Sequence, residues 1–213
     1  MSLNKPNSSQ STQGSLSGKI SDTLTKWLRG EVDDMLPASV VSYNETTNRA
    51  VIRPLVMIGT TSGGKVPRAQ VPNIPVFRFG GGGFFMRHPI KPGDFGWIKA
   101  NDRDISLIMQ AAGGMEWPNT ERLHSFSDAM FFPDTVKDWV ISGGNVDASV
   151  WQSLDGATCI ALHDDKIELT QGASKITISD AGVDIVSPAL THNGKNIGAT
   201  HYHVGSPSTA VPV

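Results

Sequence analysis

The sequence predicts an all-β protein with one short helix near its N-terminus. Its 213 residues include 22 Gly and 13 Pro, more than a helical protein tolerates. Short apolar runs with period two dominate the chain, whereas the helical period occurs once. Turn sequences rich in Gly, Asn and Asp separate these runs. Together these observations favour short strands joined by tight turns.

The helical period is confined to residues 19–30. Gly30 can end this helix, which carries four apolar residues on one face: Ile20, Leu24, Trp27 and Leu28. This face predicts that the helix docks on a partner or packs on the domain that follows it. Residues 1–18 are rich in Ser, Gln and Asn and contain no apolar stretch of the signal-peptide type, so we expect a flexible segment there.

Residues 31–112 are predicted to form a small Greek-key barrel of the OB type. About five short strands follow one another over roughly 80 residues without intervening helices, as this fold requires. The predicted strands span 39–43, 49–58, 76–79, 95–100 and 105–110. The four glycines at 80–83 lack the Lys-Ser/Thr of a phosphate loop and predict a tight reversal of the chain.

Three aromatic residues of this domain, Phe84, Phe85 and Trp97, are expected in the barrel core. If exposed instead, such rings could stack on sugars or single strands. The net charge is -2 and no Lys/Arg cluster exceeds a pair, so we expect no nucleic-acid partner.

Residues 113–148 show a weak pattern and are predicted to be a connector between two domains. Beyond it, the single cysteine, Cys159, lies in an apolar run and is predicted to be a buried thiol.

Two clusters contain the residue types of catalytic sites. His124, Ser125 and Asp128 are attributed to chance, because sequence neighbours rarely form a hydrolase triad. The His-Asp-Asp sequence at 163–165 is attributed to a turn between two strands. The sequence therefore predicts no enzymatic activity.

Residues 149–195 repeat a short unit with two apolar residues at i and i+2. The apolar residues of these units are Ile167, Leu169, Ile176, Ile178, Val183 and Ile185. Such a strip has one narrow apolar face and no second layer in the same chain to cover it, so it needs further copies of itself. Three chains wound about one axis would bury these residues and leave Glu168, Thr177 and Asp184 in water. The pattern thus predicts an intertwined triple-stranded β-helix formed by a homotrimer; an ordinary sheet packed on the barrel is the alternative.

Residues 196–213 contain two histidines, His201 and His203, at i and i+2. In an extended strand both would point to the same side, and three chains on a threefold axis would present six imidazoles. Six ligands match octahedral coordination and exceed the four of structural zinc, which favours Fe²⁺, although imidazole also suits other divalent transition metals. Two surface histidines, or a small metalloenzyme with an open coordination position, remain alternatives.

Short segments spread over about residues 31–140 resemble the N-terminal domain of phage membrane-piercing spikes of the phi92 type. In chain order they are Ala38-Ser-Val-Val-Ser-Tyr, Ala50-Val-Ile-Arg-Pro-Leu-Val, Val71-Pro-Asn-Ile-Pro-Val, Pro89-Ile-Lys-Pro-Gly-Asp, Asp102-Arg-Asp-Ile and Arg122-Leu-His-Ser-Phe-Ser-Asp-Ala. The C-terminal Asn193-Gly-Lys-Asn-Ile-Gly-Ala-Thr-His-Tyr-His-Val-Gly resembles the tip of the same spikes and of their relatives in Mu-like phages.

The resemblance implies a homotrimer with an OB-fold collar, a triple-stranded β-helix and an apex holding one Fe²⁺ through His201 and His203 of each chain. It implies a structural component of the virion, made in the host cytoplasm, that forms the tail-tip spike of a contractile tail. The collar would contact the baseplate hub or tail tube protein, and the tip would pierce the host outer membrane mechanically. This chain departs from the family after the histidines, where it has only Gly205 in place of a longer glycine-rich stretch.

A function from a different class is an OB-fold module that binds oligosaccharide or single strands. It predicts a monomer whose ligand affinity depends on Trp97 or Phe84.

Overall fold

The computed structural model describes residues 15–32, 34–59, 63–111 and 113–198, with the backbone alone for 26–31. Strands predominate among them, as the sequence predicts. The chain divides into two compact units, Met1–Thr135 and Val136–Val213. Among the described residues, no helix has the length and apolar character needed to cross a membrane.

One helix, α1, spans Leu16–Glu31. It begins three residues before the predicted start, because Ser15 acts as its N-cap and accepts a hydrogen bond from the Gly18 N–H at 3.0 Å. The prediction of a flexible segment is therefore wrong for residues 16–18, and residues 1–14 lie outside the described part. The side chains of Trp27 and Leu28, predicted on the apolar face, also lie outside it.

Five antiparallel strands form the main sheet of the first unit, in the order β5-β2-β1-β8-β9. They are β1 (Met35–Asn44), β2 (Arg49–Pro54), β5 (Val71–Pro75), β8 (Phe95–Arg103) and β9 (Leu123–Pro133). Two pairs of two-residue strands complete this unit: β3 (Ile58–Gly59) with β4 (Lys65–Val66), and β6 (Gly80–Gly81) with β7 (Phe84–Phe85). Val76 bridges in parallel to Phe131 of β9, so the two edges of the sheet meet and the sheet is nearly closed.

The core of this barrel-like sheet is built from small and branched apolar residues with two phenylalanines. Its buried members are Ala38, Val40, Ala50, Ile52, Ile74, Val76, Ile98, Ala100, Phe126, Ala129 and Phe131. Pro72 and Pro75 lie in the edge strand β5, where a missing N–H donor is tolerated.

Two sequence predictions about this unit are corrected by the structure. The predicted connector 113–148 contains β9, the last strand of the barrel sheet. The alternation of β9 is interrupted, because the register shifts where Ala100 pairs with Ala129 while Asn101 pairs with Ser125. The run 105–110, predicted as a strand, is instead the short helix α2 (Ser106–Gln110). A run this short and apolar does not distinguish the two by pattern alone.

The predicted core position of three aromatic residues is also wrong. Phe84 is 82% exposed and Phe85 61% exposed, and Trp97 is half-buried, with its indole N–H donating to Asp134 at 2.7 Å. The glycines at 80–83 do form the predicted reversal. Gly82 and Gly83 take φ values of 59° and 85°, which favour glycine, and the turn places both phenylalanines on a projecting hairpin.

The second unit contains a five-stranded antiparallel sheet whose strands pair in chain order. They are β10 (Ser149–Gln152), β11 (Thr158–Leu162), β12 (Lys166–Gln171), β13 (Ser174–Ser179) and β14 (Gly182–Val186). A small hairpin follows, β15 (Thr191–His192) with β16 (Lys195–Asn196). A strand begins at Ser149, where the repeat was predicted to start, and residues 163–165 form the predicted turn between β11 and β12. Cys159 is buried as predicted, and the Asn145 side-chain amide donates to its Sγ at 3.6 Å.

Candidate functional site

Cross-strand pairing in the second unit aligns the large apolar side chains in two rows on one face of the sheet. The first row runs across all five strands: Trp151, Ile160, Leu169, Ile176 and Ile185. The second row runs across four strands: Leu162, Ile167, Ile178 and Val183. Because paired residues of neighbouring strands share a face, these nine side chains form one continuous surface, which we call the apolar face.

The apolar face is largely open to solvent within a single chain. Eight of its nine side chains are between 37% and 65% exposed, and only Ile176, in the first row, is less exposed than these. Burying a fully exposed branched apolar side chain stabilises by about 1.5–3 kcal/mol, and each of these partly exposed side chains would contribute a share of that. Monomeric proteins rarely leave so large a contiguous apolar surface in water. The arrangement therefore provides a surface for association with another apolar surface.

The opposite face of the same sheet carries mainly small and polar side chains. Cys159 and Ala161 are buried there, and Glu168 accepts hydrogen bonds from Lys166 at 2.9 Å and Lys175 at 3.3 Å. The hydrogen bond from Lys166 is the main cause that lowers the pKa of Glu168, against the opposing effect of its burial. The two faces are thus chemically distinct, as expected of a sheet that buries only one of them.

The sequence predicted the composition of both faces, in part. The six apolar residues predicted between 167 and 185 all lie on the apolar face, and Glu168, Thr177 and Asp184 pair across the strands on the opposite face. The prediction missed Trp151, Ile160 and Leu162. The i, i+2 spacing of Ile160 and Leu162 was the signal that could have extended the repeat by one strand.

The predicted metal ligands His201 and His203 lie outside the described residues, which end at Gly198. The hairpin of β15 and β16 precedes them, with Asn193 and Gly194 at its turn. Among the described residues, no group of three or more His, Cys, Asp and Glu side chains is placed to hold a metal ion.

An ion-pair cluster in the first unit connects the ends of the long segment between β8 and β9. Arg122 contacts Asp104 at 3.1 Å and Asp128 at 3.1 Å, and Thr120 donates to Asp104 at 2.7 Å. Both carboxylates are almost fully buried, whereas the guanidinium is 47% exposed. Sequence analysis did not predict this cluster.

The pKa values of the two carboxylates of this cluster are shifted in opposite directions. Hydrogen bonds from Ser106, then Thr120, and the charge of Arg122 hold the pKa of Asp104 well below its usual range, in spite of burial. Burial raises the pKa of Asp128, and Arg122 only partly offsets this. Each carboxylate is engaged by Arg122, and His124 lies at 3.1 Å from Asp102, so the structure does not bring His124 and Asp128 together as a triad.

The first unit has a recognisable counterpart among known proteins. Residues 36–134 match the family model described as phage protein Gp138 N-terminal domain. The match spans the five strands of the barrel sheet, apart from Met35 at the start of β1, and the whole Asp104–Arg122–Asp128 cluster. It ends one residue before the first unit does. It supports a phage structural protein of the baseplate or spike type, and hence a component of the virion. No curated protein matches the chain.

Proposed function

We propose that this protein is the central tail-tip spike of a contractile phage tail, and that it pierces the host outer membrane mechanically. The observation that carries the proposal is the apolar face, which nine side chains form on one side of the second unit's sheet. The match of the first unit to a phage domain family supports a place in the tail baseplate.

Three copies of the chain could bury the apolar face. Three sheets arranged about one axis can turn these faces inward and leave their polar faces in water, and threefold symmetry closes the assembly. The strands within one chain already pair with one another, so the axis is lined by side chains from all three sheets. Three such sheets would form the shaft, residues 149–195, in the place where the sequence predicted a triple-stranded β-helix.

The stiffness of the shaft follows from its hydrogen bonding. Each strand from β11 to β13 has partners on both sides, so bending the shaft would distort backbone hydrogen bonds. The edge strands β10 and β14 are brought beside neighbouring chains, which also protects them from unwanted pairing. The proposed function therefore depends on a rigid shaft and requires no catalysis.

The apex of the spike, residues 196–213, would bind one Fe²⁺ per trimer. His201 and His203 supply two imidazoles from each chain, a donor set that suits octahedral iron and also other divalent transition metals. The bound metal would hold three chain ends together at the point that meets the membrane.

The barrel would act as the collar that contacts the baseplate hub or the tail tube protein. Helix α1 offers a second contact, because Leu16, Ile20 and Leu24 recur along one face and are exposed. The host outer membrane would be a mechanical partner only.

A charge on the apolar face tests the proposed trimer. Ile176→Asp would place a carboxylate at the axis, where burial costs several kcal/mol in each chain, so we expect the trimer to be lost. Thr177→Lys changes the next residue, which lies on the opposite face between Glu168 and Asp184, and should leave the trimer intact. Light scattering coupled to size exclusion measures both masses. A trimeric Ile176→Asp protein would contradict the proposed interface.

Removal of both histidines tests the apex. We expect the double variant His201→Ala, His203→Ala to remain trimeric by sedimentation, because the shaft is unchanged, and to lose its bound transition metal by elemental analysis. His192→Ala, which alters an exposed histidine of β15, is the control and should retain about one iron per three chains, the ratio set by octahedral coordination. Equal metal content in the two variants would contradict the assignment of the ligands.

An OB-fold module that binds oligosaccharide or single strands is the second candidate. The exposed rings of Phe84 and Phe85 favour it, since such rings provide stacking surfaces. This function predicts a monomer that binds these ligands, and loss of binding in Phe84→Ala. Titration calorimetry with oligosaccharides and single-stranded oligonucleotides distinguishes it from the spike.

A further inference from the structure

The glycine hairpin of the first unit forms an exposed apolar surface. Five large apolar residues lie within ten positions, each between 41% and 82% exposed: Phe77, Phe79, Phe84, Phe85 and Met86. We call these five residues the hairpin surface. The Met86 N–H donates to the Phe79 carbonyl at 2.7 Å and closes the base of the hairpin, so the surface is held in a defined shape.

Phe84, at the tip, is the most exposed of the five. Its partner across the hairpin is Gly81, and Gly80 stands opposite Phe85, so neither ring is covered by a side chain on the facing strand. A Cβ at Gly80 would lie 2.8 Å from the Phe84 carbonyl oxygen and from the Phe85 Cβ, which makes glycine necessary there. The glycines thus present Phe84 as a projecting apolar group.

A recess of about 220 Å³ adjoins the base of the same hairpin. Its apolar walls include Phe77, Phe79, Met86, Ile90 and Pro133. Four polar side chains also line it, those of Tyr43, Asn48, Arg78 and His88, and the first three are bonded to one another. Tyr43 donates to Asn48 and accepts from Arg78, each at 3.0 Å, and Asn48 donates to the Val76 carbonyl. An apolar occupant therefore suits the recess better than a polar one.

Two arginines lie near the hairpin surface, and each has a partner within the chain. Arg78 lies 5.5 Å from the centre of the Phe85 ring, and Arg87 pairs with Glu45. The surface thus offers an apolar ring and a mainly apolar recess side by side.

We propose that Phe84 of one chain inserts into the recess of the next chain, so that the hairpins join the three barrels into a ring. This inference rests on the proposed trimer. A projecting group and a recess on one surface make a heterologous contact, which closes when repeated about a threefold axis. The shaft would hold the three barrels at high effective concentration, so a small contact suffices. A second copy is favoured over a sugar or nucleotide, because the walls of the recess are mainly apolar and three of its polar side chains are already bonded to one another.

Site-specific photocrosslinking in the full-length protein tests this contact. Phe84 is replaced by p-benzoylphenylalanine, and trimers are assembled from a mixture of ¹⁴N- and ¹⁵N-labelled chains. After illumination, mass spectrometry should find mixed-isotope adducts that join position 84 to recess residues such as Met86 or Ile90. The same probe at Trp117, an exposed aromatic residue of the same unit, is the control and should give several-fold fewer such adducts.

A second test uses a variant without the bulky photocrosslinking side chain. Phe84→Ala should keep the trimer mass and lower the temperature at which the barrel unfolds by several degrees, whereas Trp117→Ala should leave it unchanged. Adducts confined to one chain, in a protein that sediments as a trimer, would overturn the hairpin contact and leave the spike proposal standing. A monomer would overturn both, and adducts suppressed by an added oligosaccharide would indicate a ligand site instead.

Discussion

Asp104 and Arg122 fix the long segment between β8 and β9 onto the barrel. The Asp104 side chain is fully buried and accepts hydrogen bonds from the Ser106 N–H and Thr120, as well as from Arg122. A buried carboxylate is tolerated only with such partners. The residues that meet here come from two separate segments of the region that matches the phage family model, which gives both segments a structural role.

Asp104→Asn should destabilise the barrel, because the amide cannot accept the same set of charge-assisted hydrogen bonds. We expect a loss of about 2 kcal/mol in the free energy of unfolding at pH 7. Since the folded-state pKa of Asp104 lies below its ordinary value of 3.8, its contribution is complete above that value and is lost as the pH falls below it. Urea unfolding at pH 7 and pH 3 should show the gap between wild type and variant shrinking in acid.

Asp102→Asn is the matched control, because Asp102 is 73% exposed and its contacts with Arg103 and His124 lie at the surface. It should change the stability by less than about 0.5 kcal/mol. Asp128 responds to acid in the opposite sense to Asp104, since burial raises its pKa. If wild type and Asp104→Asn differ in unfolding free energy by the same amount at both pH values, the role assigned to the Asp104 carboxylate would be contradicted.

At the scale of single residues, the sequence predicted the buried thiol of Cys159 but not the ion-pair cluster. Asp104 and Arg122 are 18 positions apart across an irregular segment, and no periodic pattern relates residues through such a segment. The exposure of Phe84 was also missed. An aromatic residue near a strand is normally predicted to lie in the core. Only the pairing of Phe84 with Gly81 across the hairpin shows that this ring projects. The roles of His201 and His203 remain predictions.

Among the elements, β8 depends on a close approach of its backbone to β9. Gly96 is buried, and a Cβ there would collide with the Phe132 carbonyl oxygen and lie 2.5 Å from Cζ of Phe131. Phe131 is fully buried in the core and cannot move without disturbing it. Glycine is therefore required at this point of the barrel.

Gly96→Ala should destabilise the barrel by about 1–3 kcal/mol, the usual cost of overpacking a core. Gly59→Ala is the control, because a Cβ at Gly59 meets no atom within 4 Å. Thermal unfolding followed by circular dichroism measures both variants. Equal unfolding temperatures for the two would show that β9 can shift to accommodate the methyl group.

The strands with regular alternation were predicted from sequence, and those with interrupted alternation were not. The repeat from 166 onward and the strand beginning at Phe95 follow period two closely, so their positions are confirmed. In β9 the inward positions include Phe126 and Asp128 before the register shift and Ala129 and Phe131 after it. A buried aspartate and a change of face both conceal the strand from a periodicity argument.

At the scale of the whole molecule, the two units differ in how completely each buries its apolar residues. The first unit has a closed core under a nearly closed sheet. The second unit buries Cys159 and Ala161 but leaves most of the apolar face exposed. A single copy of the described second unit therefore lacks the second layer that a stable sheet needs, and we assign that layer to two further copies.

The mass of the full-length protein in solution tests this central claim most directly. Sedimentation equilibrium at neutral pH should give three times the chain mass of 22.8 kDa, with no change on dilution into the micromolar range. A folded species of 22.8 kDa would contradict the trimer and, with it, the assignment of the apolar face to a spike shaft.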